Sequence, residues 1–116
     1  ASGMAAAAIC SVRGGSKEQM GHACAMALKN LMGLVCDPVA GLVEVPCVKR
    51  NVGGAVNALA AADMALAGIA SHIPVDQVID AMGEVGMKMD VSLRETSMGG
   101  VATSPKGLEI AERLGM

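Results

Sequence analysis

Not one of the 116 residues is Phe, Tyr or Trp, and this limits what the chain can build. Without aromatic bulk, burial must come from many small side chains, so Ala and Gly faces have to pack helix against helix at short range. A sheet would want more β-branched and aromatic residues. Ten Met are available for the irregular gaps that small side chains leave. The expectation is an all-α fold, a compact bundle of about five to six small-residue-rich helices, making one domain or part of one. A formal charge of −2 and the lack of a basic run exclude nucleic acid as an electrostatic partner.

Four cysteines without a charged-apolar-small leader point to a reduced, cytoplasmic chain and not to a disulfide framework. The window Val52 to Ala70 is apolar, but it is rich in Ala and Gly and carries Asn57 and Asp63. It reads as a core helix surrounded on most sides, with no membrane span. The abrupt start at Ala1-Ser2-Gly3-Met4, already in helix formers, is what a chain beginning in mid-domain would show.

The helices can be placed from their punctuation. Met4 to Val12 is a helix stopped by Gly14-Gly15, with Cys10 as a small buried hydrophobe. Ser16-Lys17-Glu18-Gln19 matches a capping box and opens a helix to about Met32. The spacing of Met20, Cys24, Ala27, Leu28 and Leu31 assigns them to its core stripe. His22 is read as a surface or cap residue. A second long helix runs from Val48 or Asn51 to Gly68, where Asn57 and Asp63 need partners. Pro74 stands at the first turn of an amphipathic helix through Met87, with Val75, Val78, Ile79, Met82 and Val85 inward and His72 at its start. Ser104-Pro105 opens a closing helix through Leu114. Between these last two lies Val91-Ser92-Leu93-Arg94-Glu95-Thr96-Ser97-Met98-Gly99-Gly100. That composition suits either a carboxylate or anion site or a plain helix end with a Gly stop.

The segment most suggestive of chemistry is Val35 to Asn51, where Cys36 and Cys47 are separated by ten residues that include two prolines and a glycine. Thiolates are soft ligands for zinc, copper(I) or iron–sulfur clusters. Structural zinc would show short Cys-x2-4-Cys knuckles and four ligands, so the wider spacing suits a cluster better. A pair of buried, unliganded cysteines remains the alternative. Asp37, Lys49, Arg50 and Asn51 flank the thiols and are candidates for contacts to the cofactor or substrate by proximity.

The run Gly33 to Asn51, with its Cys36-Asp37-Pro38 and Val45-Pro46-Cys47 ends, resembles the cluster-binding segment of bacterial iron–sulfur L-serine dehydratases, in the catalytic alpha-chain domain. The similarity continues through Ala60-Ala61-Ala62-Asp63-Met64-Ala65-Leu66 and Arg94-Glu95-Thr96-Ser97-Met98-Gly99-Gly100. It implies a [4Fe–4S] cluster held by three cysteines, of which Cys36 and Cys47 are the second and third. An iron without a thiolate then acts as Lewis acid toward the carboxylate and hydroxyl of L-serine. A base takes the α-proton, water leaves, and the enamine hydrolyses to pyruvate and ammonia without pyridoxal phosphate. It also implies a role in amino-acid catabolism and gluconeogenesis, and leaves room for a homo-oligomer. On this resemblance residues 1–116 correspond to the C-terminal half of the catalytic domain. The first cluster cysteine is expected upstream of Ala1, and neither Cys10 nor Cys24 matches a family ligand. The partners implied are the remainder of the alpha chain and a beta chain or regulatory domain, and the isolated fragment is expected to be inactive. Two further readings stay open: a related cluster lyase acting on another small amino acid such as cysteine, and a non-catalytic helical module with a structural Cys pair.

Overall fold

The structure, a computed structural model that describes residues 1–116, is all-α as the composition predicts. Its five helices are α1 (Ser2–Val12), α2 (Lys17–Leu31), α3 (Cys47–Leu66), α4 (Val75–Lys88) and α5 (Pro105–Arg113). Short 3-10 turns occupy Val39–Gly41, Val91–Leu93 and Gly100–Thr103. A single isolated parallel bridge, Cys36 to Arg94, is the sole β-type pairing. The residues divide into two units, Ala1–Met32 with Val52–Met87, and Gly33–Asn51 with Lys88–Met116.

The first unit shows how a chain without aromatics builds a core. Seven of the nine residues in its buried cluster are alanines, from α1 (Ala6), α2 (Ala23, Ala27) and α3 (Ala58, Ala61, Ala62, Ala65), joined by Cys10 and Met26. Small side chains let the helix axes approach closely, and dispersion contacts then come from backbone as well as side chain. Gly3 marks one close approach. A Cβ there would lie 2.9 Å from Leu28 Cδ2 and 3.3 Å from Cys24 Sγ, so α1 meets α2 where only a hydrogen fits.

Polar side chains fix this packing in register. The capping box on α2 forms, with Gln19 N–H donating to Ser16 Oγ at 3.1 Å and Ser16 N–H donating to Gln19 Oε1 at 2.9 Å. Asn57 on α3 donates to Ala27 O at 3.0 Å and Ser2 Oγ at 3.1 Å, and accepts from Asn30 Nδ2 at 2.8 Å. One amide therefore ties three helices, so the polar exception of α3 is structural. His22 Nδ1 accepts from the N–H of buried Ser71 at 3.1 Å, and Lys29 Nζ donates to Ser71 O at 2.7 Å. His22 thus holds the chain leading into α4 instead of sitting at the surface or in a cap. His72 precedes α4 as a left-handed residue, φ 65°.

Two expectations about burial are corrected. Helix α3 is not surrounded on most sides, because only its Ala58, Ala61, Ala62 and Ala65 face is buried while Val52 and Val56 are 61% and 59% exposed. Asp63 lies on an exposed face and pairs with Arg13. On α2 the fully buried residues are Ala23, Ala25, Met26 and Ala27, with Cys24, Leu28 and Leu31 only half-buried. Close helix approach fills the innermost positions with the smallest side chains and pushes larger ones to the rim. Of the apolar stripe on α4, Val78 is buried but Ile79 is 51% exposed. No helix is long and apolar enough to cross a membrane.

Candidate functional site

The second unit contains both loop cysteines. Residues 33–46 connect α2 to α3 and fold back on themselves, with Val39 N–H donating to Val45 O at 2.9 Å around the 3-10 turn Val39–Gly41. The Val45–Pro46 peptide is cis. Cys47 is the first residue of α3, one position before Val48 and four before Asn51, the two starts read from the sequence. Cys36 is held in extended backbone: its N–H donates to Leu93 O at 2.9 Å, and its carbonyl accepts from Glu95 N–H at 2.7 Å.

Asp37 is the residue around which this unit is ordered. It is 2% exposed, and each carboxylate oxygen has its own donor: Arg50 Nη1 to Oδ1 at 2.5 Å, and Val101 N–H to Oδ2 at 2.6 Å. Arg50 also donates to Val35 O at 3.1 Å, so one guanidinium brackets Cys36 from both sides in sequence. Arg50 lies one helical turn after Cys47 on α3, so the pair joins the two thiol-bearing segments directly. Burial pushes the Asp37 carboxyl upward, but the Val101 N–H, the Arg50 hydrogen bond and the Arg50 charge outweigh it and hold the acid below its ordinary value. Gly100, with φ +63°, completes the fit: a Cβ there would fall 2.7 Å from both Cβ and Cγ of Asp37. The carboxylate that packs against Gly100 is the chain's own Asp37, and the N–H that receives it belongs to Val101, one residue beyond the Gly99-Gly100 pair. The side chains around it are tied in as well, with Ser97 Oγ donating to Pro38 O at 2.6 Å and Thr96 Oγ1 donating to Val91 O at 2.8 Å.

Both loop cysteines are free thiols, Cys36 exposed and Cys47 half-buried. Although Cys36 is exposed as a residue, partial desolvation of its thiol raises its pKa. The negative charges of Glu95, Cys47 and Asp37 raise it further, against the opposing charge of Arg50. The donor set fits a soft metal centre, with two sulfurs brought to one neighbourhood and a locked backbone behind them. No group of three or more His, Cys, Asp and Glu side chains is assembled to hold a metal ion.

The other candidates differ in placement. Lys49 and Asn51 are exposed on the first turns of α3, and the hydrogen bonds that organise the loop run through Asp37 and Arg50. Cys10 is fully buried in the core of the first unit, and the half-buried thiol of Cys24 is pushed up by desolvation. Glu95 was not singled out by sequence spacing. It is 59 residues from Cys36 in the chain, and only the backbone pairing of residues 93–95 with Cys36 brings the two together.

The sequence model of a family described as "Serine dehydratase alpha chain" matches residues 1–102. Over 114 residues the chain is 62% identical to "Probable L-serine dehydratase, alpha chain" of Bacillus subtilis (strain 168), covering 98% of the chain and 38% of that relative. A protein of the same description from Latilactobacillus sakei is 59% identical over 110 residues, covering 95% of the chain and 53% of the relative. "L-serine dehydratase, alpha chain" of Peptoniphilus asaccharolyticus is 53% identical over 110 residues, 95% of the chain and 38% of the relative. The chain therefore spans between about two-fifths and one-half of the length of these relatives.

Proposed function

The chain belongs to the serine dehydratase alpha-chain family, and from that membership we propose that it forms part of a lyase converting L-serine to pyruvate and ammonia. Cys36 and Cys47 are proposed to hold a [4Fe–4S] cluster together with a third ligand from outside residues 1–116. The observation that supports this most directly is that Arg50, one turn after Cys47 on α3, bonds to Val35 O and Asp37 on either side of Cys36 and so ties the two thiol-bearing segments together. When bound, the cluster supplies Lewis acidity at an iron that lacks a protein thiolate.

The chain's own residues do the positioning. Arg50 and the Val101 N–H hold Asp37, and through it the Cys36 backbone, while the start of α3 fixes Cys47. A preorganised pair loses little entropy when its ligand arrives, and the ion pair between buried Asp37 and half-exposed Arg50 keeps that geometry from relaxing. The complete enzyme needs the rest of an alpha chain and a beta chain or regulatory domain; it is cytoplasmic and uses no pyridoxal phosphate. Because the third ligand is proposed to lie outside residues 1–116, the 116-residue chain alone is proposed to be inactive and to hold little iron.

Two measurements test this reading. In the complete enzyme, Cys36→Ala and Cys47→Ala should each abolish the brown cluster absorbance and serine turnover; colour and kinetics at the parent level in either variant refute that thiol's role. Anaerobic reconstitution of the 116-residue chain with iron and sulfide should leave it substoichiometric in iron. A full cluster with serine turnover in that chain overturns the proposed division of ligands.

A further inference from the structure

In the second unit lies a cleft of about 410 Å³, toward the small end of the roughly 300–1,000 Å³ range of small-molecule sites. Its polar end is Glu95, Thr96 and Ser97; its apolar wall is formed by Ala102, Leu108 and Ala111. The two hydroxyl protons at the polar end are already committed, Thr96 to Val91 O and Ser97 to Pro38 O. A hydroxyl has one proton and two lone pairs, so toward the cleft both side chains can only accept. Glu95 adds a full negative charge and, unlike Asp37, Asp63 and Glu109, is not spent on an ion pair. Every polar side chain at this end is therefore an acceptor, which is complementary to a group that only donates.

The backbone around the cleft supports a functional role. The structure has four non-glycine residues with positive φ, and three of them, Ala40 (55°), Glu95 (66°) and Ser97 (57°), line this cleft. Residues with side chains rarely hold that conformation, and where it clusters the surrounding structure has imposed it to aim particular groups. Here it turns Glu95 and Ser97, on either side of Thr96, while Glu95 N–H stays bonded to the Cys36 carbonyl at 2.7 Å.

We infer that this cleft binds the ammonium group of a small α-amino acid, with the Glu95 carboxylate as the anion that receives it. The amino-acid identity of the ligand rests on the lyase reading above; the preference for a donor-only cationic group rests on the cleft alone. An ammonium has three donors and no acceptor, matching one carboxylate and two hydroxyl oxygens. The apolar wall of Ala102, Leu108 and Ala111 accommodates a short aliphatic part. The residue bonded to the Cys36 backbone would thus also hold the substrate's amino end, fixing the distance between substrate and thiol pair through one short segment.

Amide NMR titration of the 116-residue chain at low ionic strength tests this, using L-serine, n-propylammonium and 3-hydroxypropionate, which lacks the amino group. L-Serine and n-propylammonium should shift the Thr96, Ser97 and Ala102 amides, and 3-hydroxypropionate should not. Glu95→Gln should weaken binding by about tenfold or more, as expected when a charge-assisted contact is lost. Ala111→Leu, which fills the apolar wall with the carboxylate intact, should do the same and guards against misfolding of the Glu95 variant. Equal shifts from 3-hydroxypropionate, or unchanged binding in both variants, overturn the inference. In the complete enzyme Glu95→Gln should raise KM for serine about tenfold with a smaller change in kcat. Parent turnover with an unchanged KM in the variant sinks the ammonium site and leaves the lyase reading standing. Absence of serine turnover in the parent enzyme sinks the lyase reading, and the NMR titration still decides whether the cleft takes an ammonium.

Discussion

Replacing Asp37 by Asn keeps the shape of the side chain and removes its charge, which isolates what that charge contributes. In the parent, Oδ1 faces Arg50 Nη1 at 2.5 Å and Oδ2 faces Val101 N–H at 2.6 Å, so both partners are donors. An amide can offer an oxygen to only one of them. Arg50 is 41% exposed and can turn toward water, whereas the Val101 N–H is fixed in its turn. The Asn oxygen should therefore keep Val101 and its NH2 should displace Arg50. The loss is one charge-assisted hydrogen bond of about 1.5–3 kcal/mol, with the cost of a poorly satisfied buried NH2 partly offset by resolvation of Arg50. The expected destabilisation is about 2–3 kcal/mol, a rise of roughly 30- to 150-fold in the unfolded population. Urea unfolding followed by far-UV circular dichroism measures this, and amide exchange localises it, with Cys36, Glu95 and Val101 losing protection first. A loss below about 0.5 kcal/mol, with protection at those three amides unchanged, would refute the placing of Asp37 at the centre of this unit.

The same carboxylate sets an acid dependence. Its folded pKa lies below the ordinary 3.8, so the stability it contributes is full above the unfolded value and is lost as pH falls through the folded one. Unfolding free energy should therefore drop below about pH 4–5 in the parent and less steeply in Asp37→Asn; parallel curves would contradict this. Gly100→Ala should destabilise by about 2 kcal/mol or more, since a left-handed Ala costs about 1–2 kcal/mol before its Cβ meets Asp37; a stability equal to the parent would show that the turn relaxes freely. Asn57→Ala removes the amide that joins α1, α2 and α3 and should cost about 1–3 kcal/mol in the same urea assay. Arg13→Ala, by contrast, breaks a pair whose side chains are 48% and 65% exposed, and should cost no more than about 1 kcal/mol.

What could be read from the sequence follows from short-range physics. Helix stops at Gly14-Gly15, the capping box at Ser16 and the Ser104-Pro105 start depend on a few adjacent residues, and each stands where its pattern places it. The helical class follows from composition, because a chain of Ala, Gly and Met without aromatics has little else to pack. The spacing of Cys36 and Cys47 makes them the prominent thiol pair for the same local reason. Burial was less legible. Hydrophobic periodicity assigns α2 a stripe through Cys24, Leu28 and Leu31, but the helices approach so closely that alanines take the interior. Periodicity reports polarity, and here size decides depth.

At the candidate site the division is sharper. The sequence by itself determined the two thiols, the rigid proline-bearing loop between them and the polar 91–100 segment, since all of these are contiguous in the chain. Only the tertiary structure decided that Asp37 and Arg50, among four flanking candidates, lock the loop, and that this aspartate packs against Gly100 and is received by the Val101 N–H. It also decided that Glu95 stands beside Cys36. Those partners are separated by 13 residues for Arg50 and 64 for Val101, and the position of a buried charge is set by which distant donors can reach it. No local pattern encodes that, because the chain must close before the donors and the carboxylate can meet.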